Sequence, residues 1–244
     1  MAVVNVQADA ASRSSFVLIP GWSCGPGVWD RLLVDVGMMS ATHVDFSGVQ
    51  SPPDFSAAVM TAMEDEPLFL IGSSMGAMLA IEVASRNPGH IRGLVLVGGT
   101  PRFISDDPRR GWPTRLIERM KRKINQDISA TVEGFQAGMF ATGEESAADA
   151  FRHQRSCHEG WTVDALMAGL DYLIATDLTE RLEAVACPVL WVHGGADTIC
   201  PPGAIAQVPR RHHCHVIPSA GHLPAWTRSH EVASTMRSFF ENDA

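Results

Sequence analysis

Six short apolar runs constrain this chain more than any other feature. They are Phe16 to Pro20 (FVLIP), Thr42 to Phe46 (THVDF, the weakest), Pro67 to Ile71 (PLFLI), Gly93 to Val97 (GLVLV), Pro188 to Val192 (PVLWV) and Cys214 to Ile217 (CHVI). Strands with little polar alternation need cover on both faces, which is the situation of a parallel sheet between helices. Helical spacing follows the runs, at Trp29 to Val36, Asp54 to Met63 with Pro53 near its start, Met75 to Ser85, and Glu231 to Phe240. The expected fold class is α/β, a mostly parallel sheet flanked by helices.

One interval breaks the rhythm. Between the fourth and fifth runs the pattern is helical, with Leu116, Ile117, Met120 and Ile124 on one face and Leu166, Leu170, Leu173 and Ile174 on another. Residues 101–183 are therefore expected as a helical lid, or cap, inserted into a core made of 1–100 and 184–244. It should lie over the C-terminal edge of the sheet, where ligands bind in open α/β sheets.

At that edge the third run passes into G-S-S-M-G, residues 72–76, and then into a buried-helix pattern. A strand that turns at once into a helix needs small residues at the turn. The middle position of G-x-S-x-G then projects above the sheet, which makes Ser74, and not Ser73, the candidate nucleophile. A glycine-serine turn with no chemistry is the plain alternative. The neighbouring positions decide between them.

A serine hydroxyl needs a base. Of ten histidines, His222 stands in S-A-G-H-L-P just past the sixth run, and His193 at the end of the fifth is its nearest rival. His43, His90, His153, His158 and His230 sit in ordinary strand, turn or helix positions. The cluster His212, His213 and His215 lacks a matching carboxylate or cysteine set and is read as a solvated strand edge, with no metal. Asp197, in H-G-G-A-D after the fifth run, is the candidate acid, with Asp106 and Asp107 as rivals. The order Ser74, Asp197, His222 is that of an α/β-hydrolase sheet. The first run ends in P-G-W, so the Trp22 N–H pairs with that of Met75 as the expected oxyanion hole.

The chain has 244 residues and 45% hydrophobic content, enough for one sizeable core. Its five cysteines are scattered, without a C-x-x-C, which fits free thiols in a reducing compartment. No basic start with an apolar block opens the sequence, so a cytoplasmic location is expected. A net charge of −8 argues against nucleic acid. Within it, Pro101 to Lys123 carries eight basic residues against three acids, a local balance of +5 that leaves −13 elsewhere.

Together these residues resemble the α/β-hydrolase superfamily over nearly the whole chain. Within it, P-G-W at 20–22, G-S-S-M-G, T-V-E-G-F at 131–135, D-L-T-E-R-L at 177–182, G-G-A-D and A-G-H are similar to BioH-type pimeloyl-[acyl-carrier protein] methyl ester esterases of biotin synthesis. The resemblance implies an acyl chain lying near Trp22 and the stretch Phe135, Gln136, Ala137, Gly138, Met139, and a carrier protein met by arginines of the lid. At the family's basic lid positions Arg152 is kept, whereas Ala130, Gly134 and Ala148 are not basic. Pro20-Gly21 also stands where the family usually has His-Gly. Arg115, Arg119 and Arg122, at i, i+4 and i+7 on one helix face, are the substitute basic surface.

The expectation is a serine carboxylesterase without cofactor or metal. Its substrate would be an acyl methyl ester, free or tethered to acyl carrier protein, and the expected state is a monomer with no membrane partner. Alternatives are a general carboxylesterase of small or medium-chain esters, a menaquinone-pathway lyase of the same fold, and a non-catalytic binding protein.

Overall fold

The computed structural model describes residues 15–37, 40–63, 67–157, 159–206 and 208–243. The sequence readings made on residues 1–14 and on His158 lie outside them.

Six parallel strands form one sheet in the order β2-β1-β3-β4-β5-β6, with β1 Phe16–Ile19, β2 Thr42–His43, β3 Leu68–Ser73, β4 Ile91–Val97, β5 Val189–Gly194 and β6 His213–Ile217. The interior strands β3 and β5 are buried at every residue, as their apolar runs LFLI and VLWV require. The second strand is shorter than the expected 42–46. After Val44 the chain leaves the sheet because both carboxylate oxygens of Asp45 bind Ser47, accepting from its N–H at 2.8 Å and its hydroxyl at 2.7 Å, which closes a local turn.

Helix α1 (Asp30–Val36) ends on Gly37 at φ 77°, and α2 (Pro52–Ala62) opens with Asp54 accepting the Ser51 N–H at 2.8 Å. The α3 helix (Met75–Arg86) is buried on most faces behind the sheet. Residues between β4 and β5 carry α4 (Thr114–Ile124), α5 (Ile128–Ala137), α6 (Glu145–His153), α7 (Val163–Ala175) and α8 (Thr179–Glu183). Asp127 caps α5 through the Ala130 N–H at 2.9 Å, and Thr162 caps α7 through Ala165 at 3.2 Å. Between β5 and β6 the described residues form only a 3₁₀ turn, so that strand is not followed by an α-helix. After β6 come α9 (Pro224–Thr227) and α10 (Ser229–Asp243).

Inside the insert, α4 packs on α5 and α7. It buries Ile117 and Ile124 and half-buries Met120, but Leu116 is exposed. Leu116 falls one step round the helix from Ile117, on the arginine side, and this corrects the expected apolar face. On α7, Leu166, Leu170 and Leu173 are buried as the period predicts. No helix of the described residues is long and apolar enough to cross a membrane.

Candidate active site

β3 ends at Ser73 and α3 begins at Met75, so Ser74 alone makes the turn. Its φ of 55° and ψ of −118° are strained for a residue with a side chain. Two glycines make the turn possible: a Cβ on Gly72 would strike the Gly76 carbonyl, and one on Gly76 would strike the Ile19 carbonyl. The Ser74 N–H is anchored to the Val97 carbonyl at 2.9 Å. Among the described residues only one other non-glycine residue has positive φ, Ser23 at 61°. It lies on the loop after β1, and Gly21 of that loop is so close to Ser74 that a Cβ there would sit 3.7 Å from the Ser74 Oγ. Both strained residues therefore stand at the same point of the sheet edge. Ser73, by contrast, is buried with its hydroxyl unpartnered.

His222 and Asp197 are in direct contact. The His222 Nδ1 lies 2.8 Å from Asp197 Oδ2, and both side chains are fully buried. Asp197 Oδ1 is held by its own loop, accepting the Ile199 N–H at 2.8 Å and the Cys200 N–H at 2.9 Å. A carboxylate only accepts, so Nδ1 donates to it. The other ring nitrogen, Nε2, is buried without a hydrogen-bond partner. Ser74 and His222 flank one segment. A Cβ on Gly98 would run into the His222 carbonyl, and one on Gly99 would lie 3.6 Å from the Ser74 carbonyl oxygen.

The rivals are engaged elsewhere. His193 Nε2 donates to the Cys200 carbonyl at 2.7 Å and stands 3.5 Å from Asp197 Oδ2; burial lowers its pKa. Asp107 binds the Arg109 backbone and guanidinium, which pull its carboxyl down to about 2, and Asp106 is exposed. His212 is not solvated, contrary to the expectation. It is buried and accepts the Trp191 indole N–H at 3.3 Å, and burial, with help from Arg211, takes it down to about 4. His215 pairs with Glu231 at 2.8 Å. No group of three or more His, Cys, Asp or Glu able to hold a metal occurs among the described residues.

Met75 is the first residue of α3, so its N–H has no acceptor within the helix. Trp22 follows Gly21 directly. Its ring is buried, donates Nε1–H to the Leu166 carbonyl of α7 at 2.9 Å, and meets Phe135 edge-on at 4.9 Å.

The stretch 135–139 divides. Phe135 and Met139 are buried, whereas Ala137 and Gly138 are exposed, which removes them from an apolar lining. The last turn of α5 faces Phe135 and Gln136 inward and Ala137 outward, and α5 ends there, so Gly138 and Met139 belong to the turn that follows, in which Met139 points back inside. Gln136 is buried but not free, since its Nε2 donates to the Ser23 carbonyl at 2.8 Å. A cavity of about 280 Å³ opens beside it, lined by Ser23, Val132, Gln136, Trp161, Leu166 and, at its polar side, Arg152. Arg152 is exposed and paired with Asp149 at 2.9 Å. Arg115, Arg119 and Arg122 are exposed on α4.

Two groups at the site gave no sequence signal. Ser23 reads as an ordinary loop serine. Glu144 reads as a surface acid before α6, yet its side chain is fully buried against the loop that carries His222.

A family model described as serine aminopeptidase, S33, matches residues 49–223, and the chain belongs to that hydrolase family. Among curated relatives, it is 28% identical over 230 residues to the pimeloyl-[acyl-carrier protein] methyl ester esterase of Pseudoalteromonas atlantica, covering 87% of this chain and 89% of that one. It is 27% identical over 241 residues to the enzyme of the same name from Pectobacterium carotovorum, with 92% and 93% covered. Solved structures share the fold at lower identity. An esterase from Exiguobacterium antarcticum superposes with TM-score 0.79 at 17% identity, covering 95% of this chain and 93% of that one. A bromoperoxidase from Bacillus anthracis does so with 0.80 at 18%, over the same shares. An esterase and a bromoperoxidase thus share this fold, so the fold by itself does not choose a reaction.

Proposed function

We propose that the chain is a serine carboxylesterase, and that its substrate is the methyl ester of an acyl chain of the pimeloyl-[acyl-carrier protein] kind. The reaction rests on one observation: the buried Asp197–His222 pair leaves a bare Nε2 at the sheet edge where Ser74 is forced outward. The substrate rests on the names of relatives matched over most of both chains.

In this reading Ser74 Oγ attacks the ester carbonyl while His222 Nε2 takes its proton. Asp197 holds the imidazole tautomer and stabilises the imidazolium. The N–H groups of Trp22 and Met75 receive the oxyanion. The imidazolium then protonates the departing methoxide, leaving an acyl ester on Ser74. Water, deprotonated by the same Nε2, attacks that ester and frees the acid and the serine. The His222 Nε2 makes no hydrogen bond in the structure, and catalytic hydrogen bonds commonly tighten only in the complex. The insert serves as the lid, and Arg115, Arg119 and Arg122 offer an acidic carrier a positive face.

A second reading, an esterase of free small or medium-chain esters, is favoured by two observations. Ala130 and Gly134 are exposed and uncharged on α5, and Arg152 is already paired with Asp149.

One panel tests both: p-nitrophenyl and methyl esters of increasing chain length, free and on acyl carrier protein. Ser74→Ala should lower kcat by at least about 10⁴-fold on every active ester; full activity in that variant defeats the serine mechanism. Replacing Arg115, Arg119 and Arg122 together by alanine should raise KM on the carrier-linked ester alone. An equal KM on both forms selects the second reading.

A further inference from the structure

The two partners of the Asp197–His222 bond are held by different parts of the molecule. Asp197 is fixed by the Ile199 and Cys200 amides of its own loop. The backbone just ahead of the His222 Cα is fixed by the insert. The His222 N–H donates to the Met139 carbonyl at 2.7 Å, and the Gly221 N–H donates to Glu144 Oε2 at 3.1 Å.

Glu144 organises this junction. The same Oε2 accepts the Ala141 N–H at 3.0 Å, which closes the 141–144 turn, while Oε1 makes no hydrogen bond and is balanced by the Arg228 guanidinium 3.1 Å away as an ion pair. The carboxylate is fully buried and Arg228 is about one-third exposed, its side chain at 30%. A buried carboxylate is tolerated only with such a set of donors. The fit leaves no room for a side chain at 221, where a Cβ would stand 2.7 Å from the Ala141 nitrogen and 2.8 Å from Glu144 Oε2. Just beyond His222 the chain returns to the insert, the Trp226 indole N–H donating to the Ala147 carbonyl at 3.0 Å.

We infer that Glu144 is a positioning residue: it registers the His222 backbone against the insert, so that the imidazole meets Asp197 only when the 139–144 segment is seated. The catalytic consequence rests on the esterase reading above; the geometric one does not.

The test compares Glu144→Ala with Glu144→Gln on a p-nitrophenyl ester, counting folded sites with an organophosphonate. The glutamine amide oxygen still accepts from Gly221 and Ala141, so it should keep kcat within about threefold. The alanine variant should lose roughly 10- to 100-fold in kcat with KM nearly unchanged, the scale of a misplaced catalytic group. Wild-type kcat per titrated site in Glu144→Ala, or an equal loss in Glu144→Gln, overturns the inference. If Glu144→Ala does not fold, Glu144→Asp, one methylene short, should show the same split, and wild-type kcat there overturns it. A proton NMR measurement separates this from failure of the esterase reading. The downfield Nδ1–H resonance of His222 should shift or broaden in the alanine variant and stay in the glutamine variant, whether or not any ester is cleaved. An unmoved signal in the alanine variant refutes the positioning role.

Discussion

The turn between β3 and α3 and the insert between β4 and β5 meet at the same sheet edge but are built on opposite terms. The turn is written in five consecutive residues, G-S-S-M-G, seated against the backbone of the neighbouring strands. Gly72 and Gly76 are fixed by backbone packed within a few ångströms, and Ser74 takes its strained φ because nothing else fits between them. The insert is specified by contacts far apart in sequence, namely Trp22 to Leu166, Gln136 to Ser23, and Glu144 to Gly221. Two kinds of contact thus meet here, a rigid half set by close backbone packing and a docked half set by hydrogen bonds from the insert.

The largest expected effect breaks the rigid half. Gly76→Ala drives a methyl into the Ile19 carbonyl and should destabilise the chain by at least about 3 kcal/mol, read by urea unfolding. A smaller effect probes the docked half. Gln136→Ala frees the strained Ser23 from α5 and should lower kcat about tenfold at unchanged KM, with roughly 1 kcal/mol lost in unfolding. Stability that falls by several kcal/mol instead would mean that the insert is as much a part of the core as the turn.

A pH effect belongs to the sheet side. His212 is depressed to about 4 from an ordinary 6.5, so the unfolded chain takes up its proton first. The stability it contributes is present above 6.5 and is lost as pH falls from 6.5 towards 4. His212→Gln should flatten the stability profile in that window by up to one proton, and an unchanged slope in urea unfolding would count against its burial. The smallest effect is the mirror of the first. Gly134→Ala, on α5 with open space around its added Cβ, should stabilise by about 0.5 to 1 kcal/mol in the same assay.

Legibility in the sequence followed the same division. The six strands and the parallel sheet could be read because burial on both faces leaves an unbroken apolar run, as in LFLI of β3. Thr42 to Phe46 overreaches the strand because the Asp45 side chain ends it, a local bond that hydrophobicity does not report. On the insert, Leu116 is exposed because a period of 3.6 gives faces but not which face meets a neighbour, and Ala137 and Gly138, which only the family resemblance pointed to, are exposed because α5 ends there. The burial of His212 is invisible in its strand-edge position, which does not reveal the Trp191 ring beside it.

By itself, the sequence determined the sheet, the turn at Ser74, and the spacing that brings Asp197 and His222 past later strand ends. Each depends on residues next to one another, or on the unbroken apolar runs that burial on both faces requires. Only the tertiary structure decided that Glu144 is buried, that Gln136 serves Ser23, and that the insert grips the backbone just ahead of His222. Those outcomes turn on which helix face lands on which loop, and that is set by long-range packing rather than by any local pattern of residues.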